Sequence, residues 1–177
     1  MQLSDLNLVL TGFMGTGKTS VAKELSRILG RKIIDVDAEI EKKGTPIKEI
    51  FRKHGEPYFR DLETAMLKEV SGNRAVIIST GGGVVLRKEN MEALRKTGII
   101  ICLGASPETI LERTSKTAER PLLQVEEPLT KIKELLSARE ACYKDADIAI
   151  NTEGKNPREV AGEILEKIKT LSERPGL

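Results

Sequence analysis

One octapeptide constrains this chain more than anything else in it. Gly12-Phe13-Met14-Gly15-Thr16-Gly17-Lys18-Thr19 satisfies the spacing G-x-x-x-x-G-K-[ST] at every fixed position. Each fixed residue has a physical task. The glycines let the backbone curl until successive N–H groups face one point, which is a cradle for an anion. A helix beginning near Gly17 adds the positive end of its dipole. Lys18 brings a cation to the β- and γ-phosphates, and Thr19 brings a hydroxyl suited to Mg²⁺. The context fits as well. An apolar run at 6–10 precedes the octapeptide, and the stripe Val21, Leu25, Ile28, Leu29 follows at helical spacing. A glycine-rich turn that binds nothing has no use for Lys-Thr at this point. Gly15, Thr16, Gly17, Lys18, Thr19 and Ser20 are therefore the expected contacts to nucleotide phosphates.

The octapeptide requires a strand before it and a helix after it, and the rest of the chain repeats that alternation. Short apolar runs stand at 6–10, 33–36, 75–78, 99–103 and 147–150. Most are continuously apolar, as in strands buried on both faces of a parallel sheet. Between them lie amphipathic stretches, among them Phe59, Leu62, Met66, Val70 and later Val160, Ile164, Ile168, Leu171. Ser106-Pro107-Glu108 and Asn156-Pro157-Arg158-Glu159 are helix starts, each with a capping residue before Pro at the first helical position. The expectation is an α/β fold with a parallel sheet covered by helices on both faces. At 177 residues the chain suits one domain, 1–177.

Composition excludes several other roles. Aromatic residues make up 3%, too few for a base-stacking platform, and the core has to come from Ile, Leu and Val. The formal net charge is +2 with basic residues spread out, so no patch for nucleic acid or a membrane surface is expected. Cys102 and Cys142 have no partner pattern and read as reduced thiols. Met1-Gln2-Leu3-Ser4-Asp5 lacks a positive leader, and no apolar stretch reaches the ~20 residues of a spanning helix. The expectation is a soluble cytoplasmic protein and a monomer.

Other signals narrow the class of nucleotide enzyme. The base-reading and switch motifs N-K-x-D and D-x-x-G of GTPases are absent. Asp35-Val36-Asp37 closes the second apolar run, where a sheet of this kind receives ligands. Two acids at that spacing suit one metal and one substrate. They equally suit a solvated turn in which Asp37 caps the next helix. Ser79-Thr80-Gly81-Gly82-Gly83 ends the third run, and three glycines favour close backbone approach to a ligand. Arg60, Arg113, Arg120 and Arg139 are candidate anion contacts, although position alone does not separate them from solvated arginines. The polar stretch 115–128 fits neither periodicity and reads as a mobile loop, a candidate lid. Nothing assigns a role to His54 or Tyr143.

Taken in order, these residues resemble shikimate kinases over nearly the whole chain. The resemblance rests on the phosphate loop at 12–19, Asp35 with Asp37, Gly55-Glu56 leading to Phe59-Arg60 and Glu63, and the triple glycine 81–83. It continues through Arg120-Pro121-Leu122-Leu123, Arg139, Asn151-Thr152 and Pro157. It implies a five-stranded parallel sheet of order 2-3-1-4-5, of the nucleoside-monophosphate-kinase type, and ATP-dependent phosphorylation of the 3-hydroxyl of shikimate. It also implies that Asp37 binds ring hydroxyls and accepts the proton, and that Arg60 and Arg139 bind the carboxylate with Glu63 holding Arg60. Gly81, Gly82 and Gly83 would meet the substrate through backbone. Phe51, Phe59 and Leu122 would form apolar walls. Arg120 would close over the phosphates. Arg113 and Pro157 would flank adenine with Lys155 nearby. Asp35 and Ser79 would reach Mg²⁺ through water. Two residues depart from the family pattern: Val36 stands where Ser or Thr is frequent, and Lys155 where Arg is frequent. The alternatives are a related kinase for gluconate or a nucleoside monophosphate, and a nucleotide-binding switch without an acceptor.

Overall fold

The computed structural model describes residues 5–115, 123 and 125–172. Five strands, β1 (Asn7–Thr11), β2 (Ile33–Asp35), β3 (Ile77–Ser79), β4 (Gly98–Gly104) and β5 (Ile148–Asn151), form one sheet in the order β2-β3-β1-β4-β5. Every pairing is parallel. The helices are α1 (Lys18–Leu29), α2 (Val36–Glu41), α3 (Ile47–Val70), α4 (Lys88–Arg95), α5 (Pro107–Ser115), α6 (Pro128–Lys144) and α7 (Pro157–Ser172).

The continuous apolar runs are explained by what covers each face. Leu8, Leu10, Ile77, Ile99 and Ile101 pack with Val21, Leu25, Val160 and Ile164 of α1 and α7. Val9, Ile78 and Ile100, the alternate residues, pack the other way on Ile50, Met66, Leu67 and Leu94 of α3 and α4. Side chains alternate along a strand, so a sheet covered on both sides has no polar face to show. Each fully buried aliphatic side chain contributes about 1.5–3 kcal/mol relative to exposure. As expected from the scarcity of aromatics, the core is Ile, Leu and Val with few rings.

Three local expectations shift. The third strand starts at Ile77 rather than at 75, because Ala75 has φ 54 and cannot extend the strand. That moves Ser79 into the strand, level with Leu10 on one side and Asp35 on the other. The cap of α2 is Asp35, whose Oδ1 accepts from the Ala38 amide at 3.2 Å. Asp37 sits inside the first turn and is not the cap. On α1, Val21 and Leu25 are buried, but Ile28 and Leu29 of the last turn are 44% and 38% exposed.

The caps at the other two predicted starts form as read. Ser106 Oγ accepts from the Thr109 amide, and Asn156 and Glu159 exchange side-chain-to-backbone bonds. Within α3 the helix breaks at Gly55, with φ 79 and ψ 176. Pro57 then falls in the first turn of the second segment, where its missing N–H costs nothing. That segment carries Phe59, Arg60 and Glu63 inward. Of the loop expected at 115–128, the residues 116–122 and 124 lie outside the described set, and with them Arg120 and Leu122.

Candidate functional site

Register places the carboxyl ends of β1, β2 and β3 at one level, and the loops leaving them enclose two clefts. The first, about 430 Å³, is lined by the phosphate loop, by Asp35, Asp37 and Ser79, and by Arg113, Thr152, Lys155 and Pro157. The second, about 510 Å³, is lined by Phe51, Phe59, Arg60, Gly83 and Arg139, with Pro46, Ile47 and Lys48 at its side. Met14, Asp37, Gly81 and Gly82 line both. They are the wall across which the two clefts communicate.

The phosphate loop is held from below. Gly12 has φ 127 and approaches β4 so closely that a Cβ would stand 2.2 Å from Leu103 O. Thr16 is buried, and its hydroxyl donates to Phe13 O at 2.7 Å. Helix α1 opens at Gly17 with no side-chain cap, so its first amides remain directed at the cleft. The Lys18 Nζ lies on Gly12 O at 2.8 Å and Phe13 O at 2.9 Å. On the outer side Arg113 ties α5 to the loop. It donates to Gly15 O at 3.3 Å and to the hydroxyl and carbonyl of Thr152 at 3.0 and 3.1 Å. Lys155 lines the same cleft but pairs with Glu163 at 2.5 Å.

The second cleft holds two buried arginines. Arg60 is 9% exposed and Arg139 4%. Arg60 donates to Glu63 Oε2 at 2.9 Å and to Glu56 Oε1 at 2.8 Å. Burial works against its charge, but Glu63 and Glu56 outweigh it, and the guanidinium is held above its ordinary value. Glu63 is fully buried, and burial raises its carboxyl above the usual range while Arg60 pulls it down. Its second oxygen, Oε1, has no hydrogen-bond partner and lies 2.7 Å from the place a Cβ on Gly81 would occupy. The Asp37 Oδ1 is 3.1 Å from the same place. The two carboxylates thus converge on the glycine turn. Arg139 comes from α6, lies over the Phe13 ring at 5.6 Å, and reaches Gly82 O at 3.4 Å.

A nucleotide-phosphate cradle beside a cleft with two buried guanidinium groups suits a kinase for a small carboxylate. A model of the shikimate kinase family matches residues 14–169. A curated shikimate kinase of Thermodesulfovibrio yellowstonii is 53% identical over 167 residues, which are 94% of this chain and 96% of that protein. The chain belongs to the shikimate kinase family. Shikimate kinase activity, an ATP-using step of the shikimate pathway, goes with that membership. The solved structure of the shikimate kinase from Acinetobacter baumannii in complex with shikimate matches with a TM-score of 0.93, at 39% identity over 97% of each chain. A gluconokinase from Sinorhizobium meliloti 1021 matches with a TM-score of 0.65 at 16% identity, covering 98% of this chain and 96% of that one, and shows the shared fold alone.

Within this shikimate kinase fold, the residues named from the sequence divide between the two clefts. Gly15, Thr16, Gly17, Lys18, Thr19, Ser20, Asp35, Ser79, Arg113, Lys155 and Pro157 line the first. Phe51, Phe59, Arg60, Gly83 and Arg139 line the second. Arg120 and Leu122 lie outside the described residues. Sequence reasoning missed Met14, a variable position of the octapeptide with no chemistry to announce it. It named Glu56 within a motif but missed its pairing with Arg60, four residues on along the same helical face, which the spacing alone could have flagged. Arg87 is a third omission. Its guanidinium joins Arg60 O, Thr64 Oγ1 and Asp61 Oδ1 and so ties the turn after the glycines to α3.

Proposed function

We propose that this chain transfers the γ-phosphoryl group of ATP to the 3-hydroxyl of shikimate, giving shikimate 3-phosphate. The observation that carries the reading is the shared wall of Asp37, Gly81 and Gly82 between the phosphate cleft and the two-arginine cleft. A donor in one and an acceptor in the other meet across that wall, beside Met14, which also lines both clefts.

Gly15, Thr16, Gly17, Thr19 and Ser20 offer amides and hydroxyls to the phosphates, and Lys18 leaves its carbonyl partners to follow the charge of the transferring group. Arg113 and Pro157, with Lys155, border the adenosine end. Arg120 is assigned to the phosphates. In the acceptor cleft Arg60 and Arg139 receive the carboxylate, while the amides of Gly81, Gly82 and Gly83 face the ring and Phe51, Phe59 and Leu122 wall it. Asp37 accepts the proton as the hydroxyl oxygen bonds to the γ-phosphorus, and the bond from that phosphorus to the ADP oxygen breaks. The hard oxygen donors Thr19, Asp35 and Ser79 in the lining of the first cleft fit Mg²⁺, which keeps several waters and needs no full protein cage. When bound it neutralises charge on the phosphates.

A coupled ADP-release assay with shikimate, gluconate, AMP and no acceptor tests the reading. Shikimate alone should support turnover. Equal turnover with gluconate or AMP, or none with any acceptor, overturns it.

A further inference from the structure

Tyr143 has no part in the scheme above, yet its hydroxyl ends inside the acceptor wall. It stands four residues after Arg139 on α6, so both side chains leave one helical face. Its hydroxyl donates to Gly82 O at 2.7 Å. Arg139 shares the same oxygen at 3.4 Å, a longer and weaker contact. Gly82 O is therefore held mainly by Tyr143, and Arg139, which lines the cleft, makes the longer contact to it.

We propose that Tyr143 is a positioning residue of the acceptor site: through the Gly82 carbonyl it fixes both the glycine turn and the guanidinium of Arg139. The proposal rests on the reading of that cleft as the acceptor site. Two further observations support it. The ring touches both the cluster around Phe13, Ile110 and Ile132 and the main core under α3 and α4, so the hydroxyl sits on a rigid lever. Burial pushes the phenol up to about 12, with Arg139 pulling the other way, so the group remains a donor throughout the neutral range. The plain alternative is a buried hydroxyl that found a convenient carbonyl. Such a bond would support stability and leave acceptor binding alone.

The test uses Tyr143→Phe, which keeps the ring and removes only the donor. Steady-state kinetics and Tm are measured for wild type, Tyr143→Phe, Arg139→Ala and the double variant. The shikimate KM of Tyr143→Phe should rise about tenfold, the scale of one buried hydrogen bond, with the ATP KM within about twofold. The same change should cost far less in the Arg139→Ala background, because the two groups act through one oxygen. A lowered Tm with an unchanged shikimate KM overturns the positioning role. If Arg139→Ala itself keeps the wild-type shikimate KM, the acceptor-site reading has failed and takes this proposal with it. Should Tyr143→Phe fail to fold, wild type labelled with 3-fluorotyrosine decides. The chain has two tyrosines. Tyr58→Phe assigns the signals, since Tyr58 is 45% exposed on α3. The Tyr143 fluorine resonance should shift on adding shikimate, and an unmoved resonance overturns the proposal.

Discussion

The guanidinium of Arg60 lies against the α-carbon of Gly83. A Cβ there would stand 2.3 Å from Cζ and 2.4 Å from each terminal nitrogen. Near-equal distances to three atoms mean that the missing methyl would sit over the guanidinium plane. Gly83 itself has φ −100 and ψ −3, which alanine adopts freely. The requirement for glycine is thus set by the arginine and not by the backbone. Gly83→Ala should fold with a lowered Tm, because the displaced guanidinium is the partner of the buried Glu63. It should raise the shikimate KM by about 30-fold or more, since it displaces a charged contact worth roughly 2 kcal/mol or more. The ATP KM should stay near its original value. A Gly83→Ala protein with ordinary shikimate kinetics would show that Arg60 has room to move without consequence.

Lys18 spans the phosphate loop, bonded to the carbonyls of Gly12 and Phe13. Its substitution removes a cation aimed at ligand, and no apolar contact of the core goes with it. Lys18→Ala should lower kcat by about a hundredfold or more, the scale of losing one preorganised charge-stabilising group. Circular dichroism should remain that of wild type. Near-normal turnover in a folded variant rules out the assignment of this lysine to phosphoryl transfer.

Much of this was legible in the sequence, for reasons that differ by element. The sheet was readable because both faces are covered, and Ile99, Ile100 and Ile101 need no polar alternation. The phosphate loop was readable because its chemistry fixes residue types at fixed spacing. What escaped was non-local. Ala75 turning at φ 54, and so re-framing β3, depends on its amide reaching Asp5 O. The choice of Asp35 over Asp37 as the α2 cap shows only in the folded chain, in the extended angles of Asp35 and its bond from the Ala38 amide. Tyr143 was unassigned because its partner is a carbonyl in a distant turn, and a carbonyl leaves no mark in a sequence. Glu63 reads as a partner of Arg60, but its fully buried, half-satisfied carboxylate is visible only in the packing.

The donor set at the first cleft makes a prediction about metal. No group of three or more His, Cys, Asp or Glu among the described residues could hold an ion by itself. Mg²⁺ should therefore bind weakly without nucleotide and tightly with it. Chelation with EDTA should abolish turnover, and Mg²⁺ should restore it. Thr19→Ala should raise the Mg²⁺ concentration needed for half-maximal rate several-fold while leaving the shikimate KM near wild type. Tight Mg²⁺ binding to the nucleotide-free protein by calorimetry contradicts the assignment.

Arg60 and Arg139 reach the second cleft from different elements, α3 and α6, and each is positioned by its own partners, Glu63 and Glu56 for one and Phe13 and Gly82 for the other. Two independently anchored guanidinium groups lining one small cleft suit a single planar acid, which each can bind through parallel hydrogen bonds. Removing either should cost roughly 2–5 kcal/mol, or about 30-fold to several thousand-fold in kcat/KM for shikimate. Arg→Lys keeps the charge and loses the fork, so it should recover part of that loss. The contact can also be cut from the ligand side. Shikimate carboxamide should be a poorer substrate than shikimate for wild type by a similar factor. For Arg60→Ala and Arg139→Ala the acid and the amide should differ far less, because the charge being read is already without its reader. Such non-additivity separates a shared contact from two unrelated defects. Penalties that simply multiply, or an amide phosphorylated as well as the acid, would mean that the arginines shape the cleft without reading the carboxylate.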